Sequence, residues 1–120
     1  TTLPPNKEQK VISINEVKIE EYKILVLPGG VKAMEKVRQE QKIIDFISKF
    51  NSQGKIIACI CSGAQLLISA KVVKGRKISG YYSMKDDLIN AGAIYTDLPA
   101  VIDKNIITID TTRPPLLNLF

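Results

Sequence analysis

The sequence contains no histidine and no tryptophan, and it has only two cysteines, Cys59 and Cys61. Histidine is the usual base beside a catalytic cysteine, so the ordinary partner of a nucleophilic thiol is absent. A lone Cys-X-Cys pair without histidine also lacks the ligands of a closed zinc site. Free thiols without the pattern of a secretion signal are typical of a reducing compartment. We therefore expect a cytoplasmic protein with no metal and no cofactor.

Aromatic residues are few, at 6% of the chain, and no apolar run is long enough to span a bilayer. The net charge of +5 comes from 17 basic and 12 acidic residues that are spread along the sequence. One basic cluster surrounds Gly75 and has the pattern of a solvated turn; it consists of Lys71, Lys74, Arg76 and Lys77. Without a nucleic-acid-binding motif or stacking aromatics, this charge does not indicate a nucleic acid surface. We expect neither nucleic acid nor a membrane as a partner.

The 120 residues, 45% of them hydrophobic, are enough for one domain that spans residues 1–120. Apolar runs predict strands at residues 11–14, 22–27, 55–60, 77–80, 93–95, 100–102 and 106–109. Helical spacing predicts helices at residues 34–50, 63–70 and 84–91, and residues 103–105 have the composition of a hairpin turn. Regular structure is expected to end at Pro114 and Pro115, before an apolar tail at residues 116–120.

Alternating buried strands and helices predict an α/β fold, a three-layer sandwich around a mainly parallel sheet. In such sheets the ligand site lies beyond the carboxyl ends of the strands. Pro28-Gly29-Gly30 and Cys61 both follow candidate strands directly. The sequence therefore predicts one shared site formed by these two segments.

Cys61 stands where a buried strand must turn straight into a helix, which is the arrangement of a nucleophile elbow. The start of a helix presents backbone N–H groups and a positive dipole end, and such surroundings favour a thiolate. Gly29 and Gly30 suit a turn that brings the backbone close to a ligand, because they carry no Cβ. Cys59, flanked by apolar strand residues, is expected to lie in the core.

Several separated motifs resemble the PfpI/ThiJ superfamily, in particular its intracellular protease-like branch. They are Leu25-Val26-Leu27-Pro28-Gly29-Gly30, Ala58 to Leu67 around Cys61, Gly75-Arg76-Lys77, Asp86-Asp87-Leu88 and Asn90-Ala91-Gly92-Ala93. The resemblance implies a flavodoxin-like fold in which Cys61 is the nucleophile. It also implies that Glu35 is the acid of the site, supplied to a neighbouring subunit, and that the backbone N–H groups of Gly30 and Ser62 form an oxyanion hole.

The chain departs from that pattern in three places. Ser62 stands where members of the branch commonly have histidine, and it either donates a hydrogen bond to the thiolate or satisfies the helix start. We expect the first β-α-β unit of the family pattern to be missing and the C-terminal helix to be altered, as in a fragment, a degraded gene product or a domain completed by a partner. We expect Asp86 and Asp87 to stabilise a helix start, and Tyr81 and Tyr82 to pack against the neighbouring helix rather than line the cleft.

Two functions from different classes remain open. The first is a cysteine-dependent hydrolase, peptidase-like or glyoxalase- or deglycase-like, with activity impaired by the missing histidine and with a small carbonyl compound or a peptide as substrate. The second is a non-enzymatic stress-response or redox-sensing protein that uses the reactive cysteine. Apolar sheet surface left uncovered by the absent unit also predicts a homo-oligomer.

Overall fold

The computed structural model describes residues 11–111. Within them the strands are β1 (Ile24–Leu27), β2 (Ile56–Ile60), β3 (Lys77–Ile78), β4 (Ile94–Tyr95), β5 (Ala100–Asp103) and β6 (Ile106–Ile109). The helices are α1 (Val31–Val37), α2 (Gln41–Ser52), α3 (Ala64–Ser69) and α4 (Lys85–Asn90). The chain therefore alternates between strands and helices, as the α/β prediction required. None of these helices is long and apolar enough to cross a membrane.

The main sheet has the strand order β1-β2-β6-β5. Strands β1, β2 and β6 are mutually parallel, with Leu25 opposite Ile57 and Ala58 opposite Ile107. The antiparallel strand β5 joins β6 through the predicted turn, in which Lys104 has a φ of 54°. A second, two-stranded parallel sheet is formed by β3 and β4. The predicted α/β fold with a mainly parallel sheet is confirmed.

One face of the main sheet carries the core. Leu27, Ile57, Cys59 and Ile106 are buried on that face, where they join apolar residues of the helices. Strand periodicity places the alternate residues on the opposite face. There Ile24, Val26 and Ile56 are 55%, 53% and 40% exposed, and Ile102 is 73% exposed. Within residues 11–111 the helices thus cover the core face and leave an apolar face open.

Two predicted elements are wrong. Residues 11–14 do not form a strand, because Ser13 caps a short 3₁₀ turn (Ile14–Glu16) by accepting a hydrogen bond from the backbone N–H of Asn15. The predicted helix at residues 34–50 is two helices, α1 and α2, separated at residues 38–40. Val37 and Ile44 are seven residues apart, which is also the spacing of one continuous helical face, so periodicity does not reveal the break.

The other strands and helices occur close to their predicted positions: β6 has the predicted bounds, β5 is one residue longer, and the rest are shorter. Gly54, with a φ of 70°, follows the end of α2, and Gly75, with a φ of 74°, lies in the turn before β3. Arg76 of the basic cluster is a structural residue, since it donates to the Asp103 carbonyl and to the Asn105 side chain. The predictions for Pro114, Pro115 and residues 116–120 lie outside the described residues.

Candidate active site

Cys61 follows β2 directly and begins a three-residue 3₁₀ turn (Cys61–Gly63) that leads into α3. Its φ is 55°, in the left-handed region, and its side chain is partly buried. A non-glycine residue held in this region stores on the order of 1 kcal/mol of backbone strain, and such residues cluster at functional sites. The backbone geometry is therefore that of the predicted elbow.

Glycines allow the loop after β1 to lie against this turn. Gly29 and Gly30 have φ values of 95° and 96°. A Cβ placed on Gly29 would stand 2.5 Å from the Ile60 carbonyl oxygen and 3.5 Å from the Cβ of Cys61. A Cβ placed on Gly63 would come similarly close to the Leu27 carbonyl oxygen. The two segments that the sequence places at one site are thus in contact.

A cavity of about 570 Å³, here called the elbow cavity, opens beside the turn. Its walls come from α1, the turn, α3 and the segment through α4. They comprise Val31, Glu35, Arg38, Ser62, Gln65, Ile68, Tyr81, Ser83, Met84, Asp87, Asn90 and Ala91. The structure therefore brings the predicted residues Glu35 and Ser62 to one cavity. Cys61 is not among the lining residues. It precedes Ser62 in the chain, and its Cβ lies beside Gly29.

The predicted polar residues differ in their surroundings. Ser62 is 2% exposed, whereas Glu35 is exposed on α1. Asp86 and Asp87 lie in the first turn of α4, as predicted, and Asp87 also lines the elbow cavity.

The two tyrosines differ from each other. Tyr81 packs against the core and lines the cavity, contrary to the expectation that it would only pack. Tyr82 is 68% exposed, so its predicted packing is wrong, and the Lys85 ammonium lies 6.0 Å from its ring centroid. Tyr82 is exposed because it begins a 3₁₀ turn (Tyr82–Met84) in which Met84 supplies the buried side chain.

Arg38 and Gln65 are site residues that the sequence reasoning missed. The Arg38 Nε–H donates to the Ser69 hydroxyl at 2.9 Å, and its Nη1 donates to the Gln65 side-chain oxygen at 3.1 Å. The pair Gln65 and Ser69 is four apart on α3 and so presents both acceptors on one helix face. The spacing of Gln65 and Ser69 and the basic residue three positions after Glu35 are the features of the sequence from which this contact could have been predicted.

Cys59 and Cys61 are both free thiols in different surroundings. Cys59 is fully buried, as predicted, and burial raises the pKa of its thiol far above the ordinary value. Cys59 is therefore a neutral core residue, whereas Cys61 is the partly exposed thiol. Within residues 11–111, no cluster of three His, Cys, Asp or Glu side chains has the arrangement of a metal site.

Comparisons with known proteins give named relatives of this chain. The chain is 46% identical over 94 residues to a deglycase of Pyrococcus horikoshii, which covers 78% of this chain and 56% of the relative. It is 36% identical over 96 residues to the putative cysteine protease YraA of Bacillus subtilis, covering 80% and 56% respectively. The chain spans little more than half the length of these curated relatives.

Solved structures and a family model give the same relationship. The crystal structure of DJ-1beta from Drosophila melanogaster matches with a TM-score of 0.74 and 30% identity, over 82% of this chain and 53% of that one. Residues 9–119 match the model of the DJ-1/PfpI family. The chain therefore belongs to the DJ-1/PfpI family, as the PfpI/ThiJ resemblance of its motifs predicted.

Proposed function

We propose that Cys61 is the nucleophile of a cysteine-dependent reaction at a carbonyl carbon, with a small reactive aldehyde as substrate. The observation that carries the proposal is the left-handed backbone of Cys61 at the strand-to-helix corner, against Gly29. A relative named as a deglycase and one named as a putative cysteine protease support it at the level of the family.

The first step forms a bond between the Cys61 sulfur and the aldehyde carbon, and the carbonyl electron pair moves to oxygen. The N–H groups of Gly30 and Ser62 are our candidates for holding that oxyanion. With a 2-oxoaldehyde such as methylglyoxal, a base then moves the proton of the attacked carbon to the neighbouring carbon, which gives a thioester. Water hydrolyses the thioester to lactate and releases the thiol. We assign the proton transfer to Glu35 or to water.

Peptide hydrolysis should be weak, because a leaving amine needs a positioned acid and the chain has no histidine. Aldehyde conversion has no such leaving group. We therefore expect turnover of methylglyoxal to exceed cleavage of an unstructured protein such as casein. We also expect the protein to work in a reducing compartment, where Cys61 stays free.

The test is conversion of methylglyoxal to lactate by the parent chain and by three variants. Cys61→Ser should abolish turnover, and Glu35→Gln should lower kcat by about 100-fold if Glu35 moves the proton. Glu40→Gln is the matched control, because Glu40 is exposed close by but does not line the elbow cavity. Turnover that survives in Cys61→Ser would overturn the proposal.

The second candidate function is redox sensing by Cys61. It is favoured by one observation: Glu35 lines the elbow cavity whereas Cys61 does not, and a sensor needs exposure of the thiol but no acid beside the sulfur. Dilute peroxide should oxidise Cys61 to a sulfenic acid, which dimedone then labels. A thiol reductant added before the dimedone should reverse the oxidation and prevent the labelling. That result without methylglyoxal turnover would favour the sensor over the enzyme.

A further inference from the structure

The elbow cavity contains a partly buried guanidinium whose hydrogen-bond partners are both neutral. Arg38 donates to Ser69 and Gln65 and forms no ion pair with a carboxylate within residues 11–111. These two bonds engage its Nε and one terminal nitrogen, so within residues 11–111 its remaining N–H donors have no protein acceptor. Partly buried charge is normally compensated, and arginine prefers planar anions that accept two parallel hydrogen bonds.

The neighbouring residues fix the orientation of this cation without neutralising it. Gln65 and Ser69 hold the guanidinium from the α3 side. Glu35 lies three positions before Arg38 on α1, a spacing that permits an ion pair, yet the two form none. Glu35 and Asp87 are both exposed, so solvent screens their charge.

The rest of the wall suits a small polar molecule. Tyr81, Ser83 and Asn90 add neutral hydrogen-bonding groups, and the volume of about 570 Å³ is in the range of small-molecule sites. Ser62 lines the cavity and directly follows Cys61 in the chain, so the cavity adjoins the turn that carries the thiol. The cavity and the elbow are thus adjoining parts of one region.

We propose that the elbow cavity binds the carboxylate of a small organic acid and that Arg38 is its anchor. This inference rests on the proposed function and narrows its substrate class. 2-Oxoaldehydes that also carry a carboxylate farther along the molecule are preferred to neutral 2-oxoaldehydes of the same size.

The test measures binding rather than turnover and uses the full chain with Cys61→Ser, so that no covalent step occurs. Glycolate and glycolamide are the probes, because they differ only in the carboxylate. Glycolate should shift the backbone amide resonances of Gln65 and Ser69 in a saturable way, and glycolamide at equal concentration should not. Equal shifts by both probes, or no saturable shift by glycolate, would overturn the proposal.

Variants of Arg38 locate the site. Arg38→Gln should weaken glycolate binding at least tenfold, and Arg38→Lys should weaken it less because the charge remains without the two-pronged geometry. Lys36→Gln removes an exposed charge from the same helix outside the cavity and should leave the affinity within twofold. Unchanged glycolate affinity in Arg38→Gln would contradict the assignment.

The outcomes separate this inference from the proposed function. Methylglyoxal turnover that depends on Cys61, without glycolate binding, would refute the anion site and leave the nucleophile standing. Glycolate binding without turnover would leave the anion site standing and refute the enzymatic proposal.

Discussion

The close contact between Gly29 and the cysteine turn is a strict residue-level requirement of the site. Gly29→Ala should destabilise the protein by about 3 kcal/mol, because it adds a Cβ against the Ile60 carbonyl oxygen at a positive φ. Gly54→Ala is the matched control: its φ is also positive, but its Cβ would meet open space, so about 1 kcal/mol is expected. Urea denaturation measures both. Equal losses would show that the glycine fit at the elbow is unimportant.

Burial of Cys59 gives a stability change with pH. Its pKa is raised in the folded state, so above the unfolded thiol's pKa of about 8.5 the unfolded chain loses a proton that the folded chain keeps. The contribution of buried Cys59 to the free energy of unfolding is fully present below that pH. Above it, this contribution falls by up to about 1.4 kcal/mol per pH unit. Denaturation curves from pH 7.5 to 10 should show this component in the parent and not in Cys59→Ala. Parallel pH profiles would contradict it.

Sequence reasoning at the residue scale succeeded where one local rule decides. The backbone geometry at Cys61 and the two glycines was predictable because a strand that turns at once into a helix leaves few conformations open. Arg38 was missed because its role depends on where α1 meets α3, and no pattern within α1 records which residues of α3 face it. The exposure of Tyr82 was missed for a similar reason, since either tyrosine of the pair can face inward.

At the scale of elements, Arg76 connects three parts of the fold. It donates to the Asp103 carbonyl oxygen at 3.1 Å and to the side-chain oxygens of Asn105 and Asn51 at 3.0 and 3.3 Å. The loop before β3 is thereby joined to the β5–β6 hairpin and to the end of α2. Arg76, a member of the predicted basic cluster, therefore stabilises the contact between these three parts.

Arg76→Met should cost about 2 kcal/mol of unfolding free energy, since hydrogen bonds from a charged donor are lost and the acceptors remain partly buried. Lys77→Gln, an exposed neighbour with the same change in charge, should stay within about 0.5 kcal/mol. Thermal or urea denaturation distinguishes the two. A similar small effect in both variants would mean that the arginine is merely a solvated charge.

Element existence was more predictable than element boundaries. The runs at β1, β2 and β6 are apolar and β-branched, so tertiary context and local propensity agree there. Residues 11–14 alternate like a strand but have no sheet neighbour, and Ser13 offers a local cap instead. Arg38, at the end of α1, is held by α3, and no pattern within residues 34–50 records this tertiary contact.

At the scale of the whole molecule, the open face of the main sheet is the main unexplained surface. Its exposed residues on β1 and β2 are apolar and adjacent in the strand register, and Ile102 of β5 lies on the same face across β6. A second copy of the chain carries the same uncharged face, and a pairing of two copies would remove both from water. We therefore keep the prediction of a homo-oligomer and assign its contact to this face.

Light scattering over a range of protein concentrations should give a mass above that of one chain. Val26→Lys, which places a charge on the open face at a side chain 53% exposed, should shift the population toward monomer. Ile94→Lys is the matched control, since Ile94 is 52% exposed but belongs to the small β3–β4 sheet. A monodisperse monomer of the parent chain at high concentration would rule out the prediction.

The most direct test of the central claim is alkylation of the native protein by iodoacetamide at neutral pH, with each cysteine followed by mass spectrometry. Cys61 should react faster in the folded protein than in the urea-unfolded chain, because our proposal requires the strand-to-helix turn to hold this partly exposed thiol as an activated nucleophile. Cys59 should react only after unfolding, because it is buried and its pKa is raised. Cys61 labelling that is no faster in the folded state would contradict an activated nucleophile and, with it, both proposed functions of the thiol.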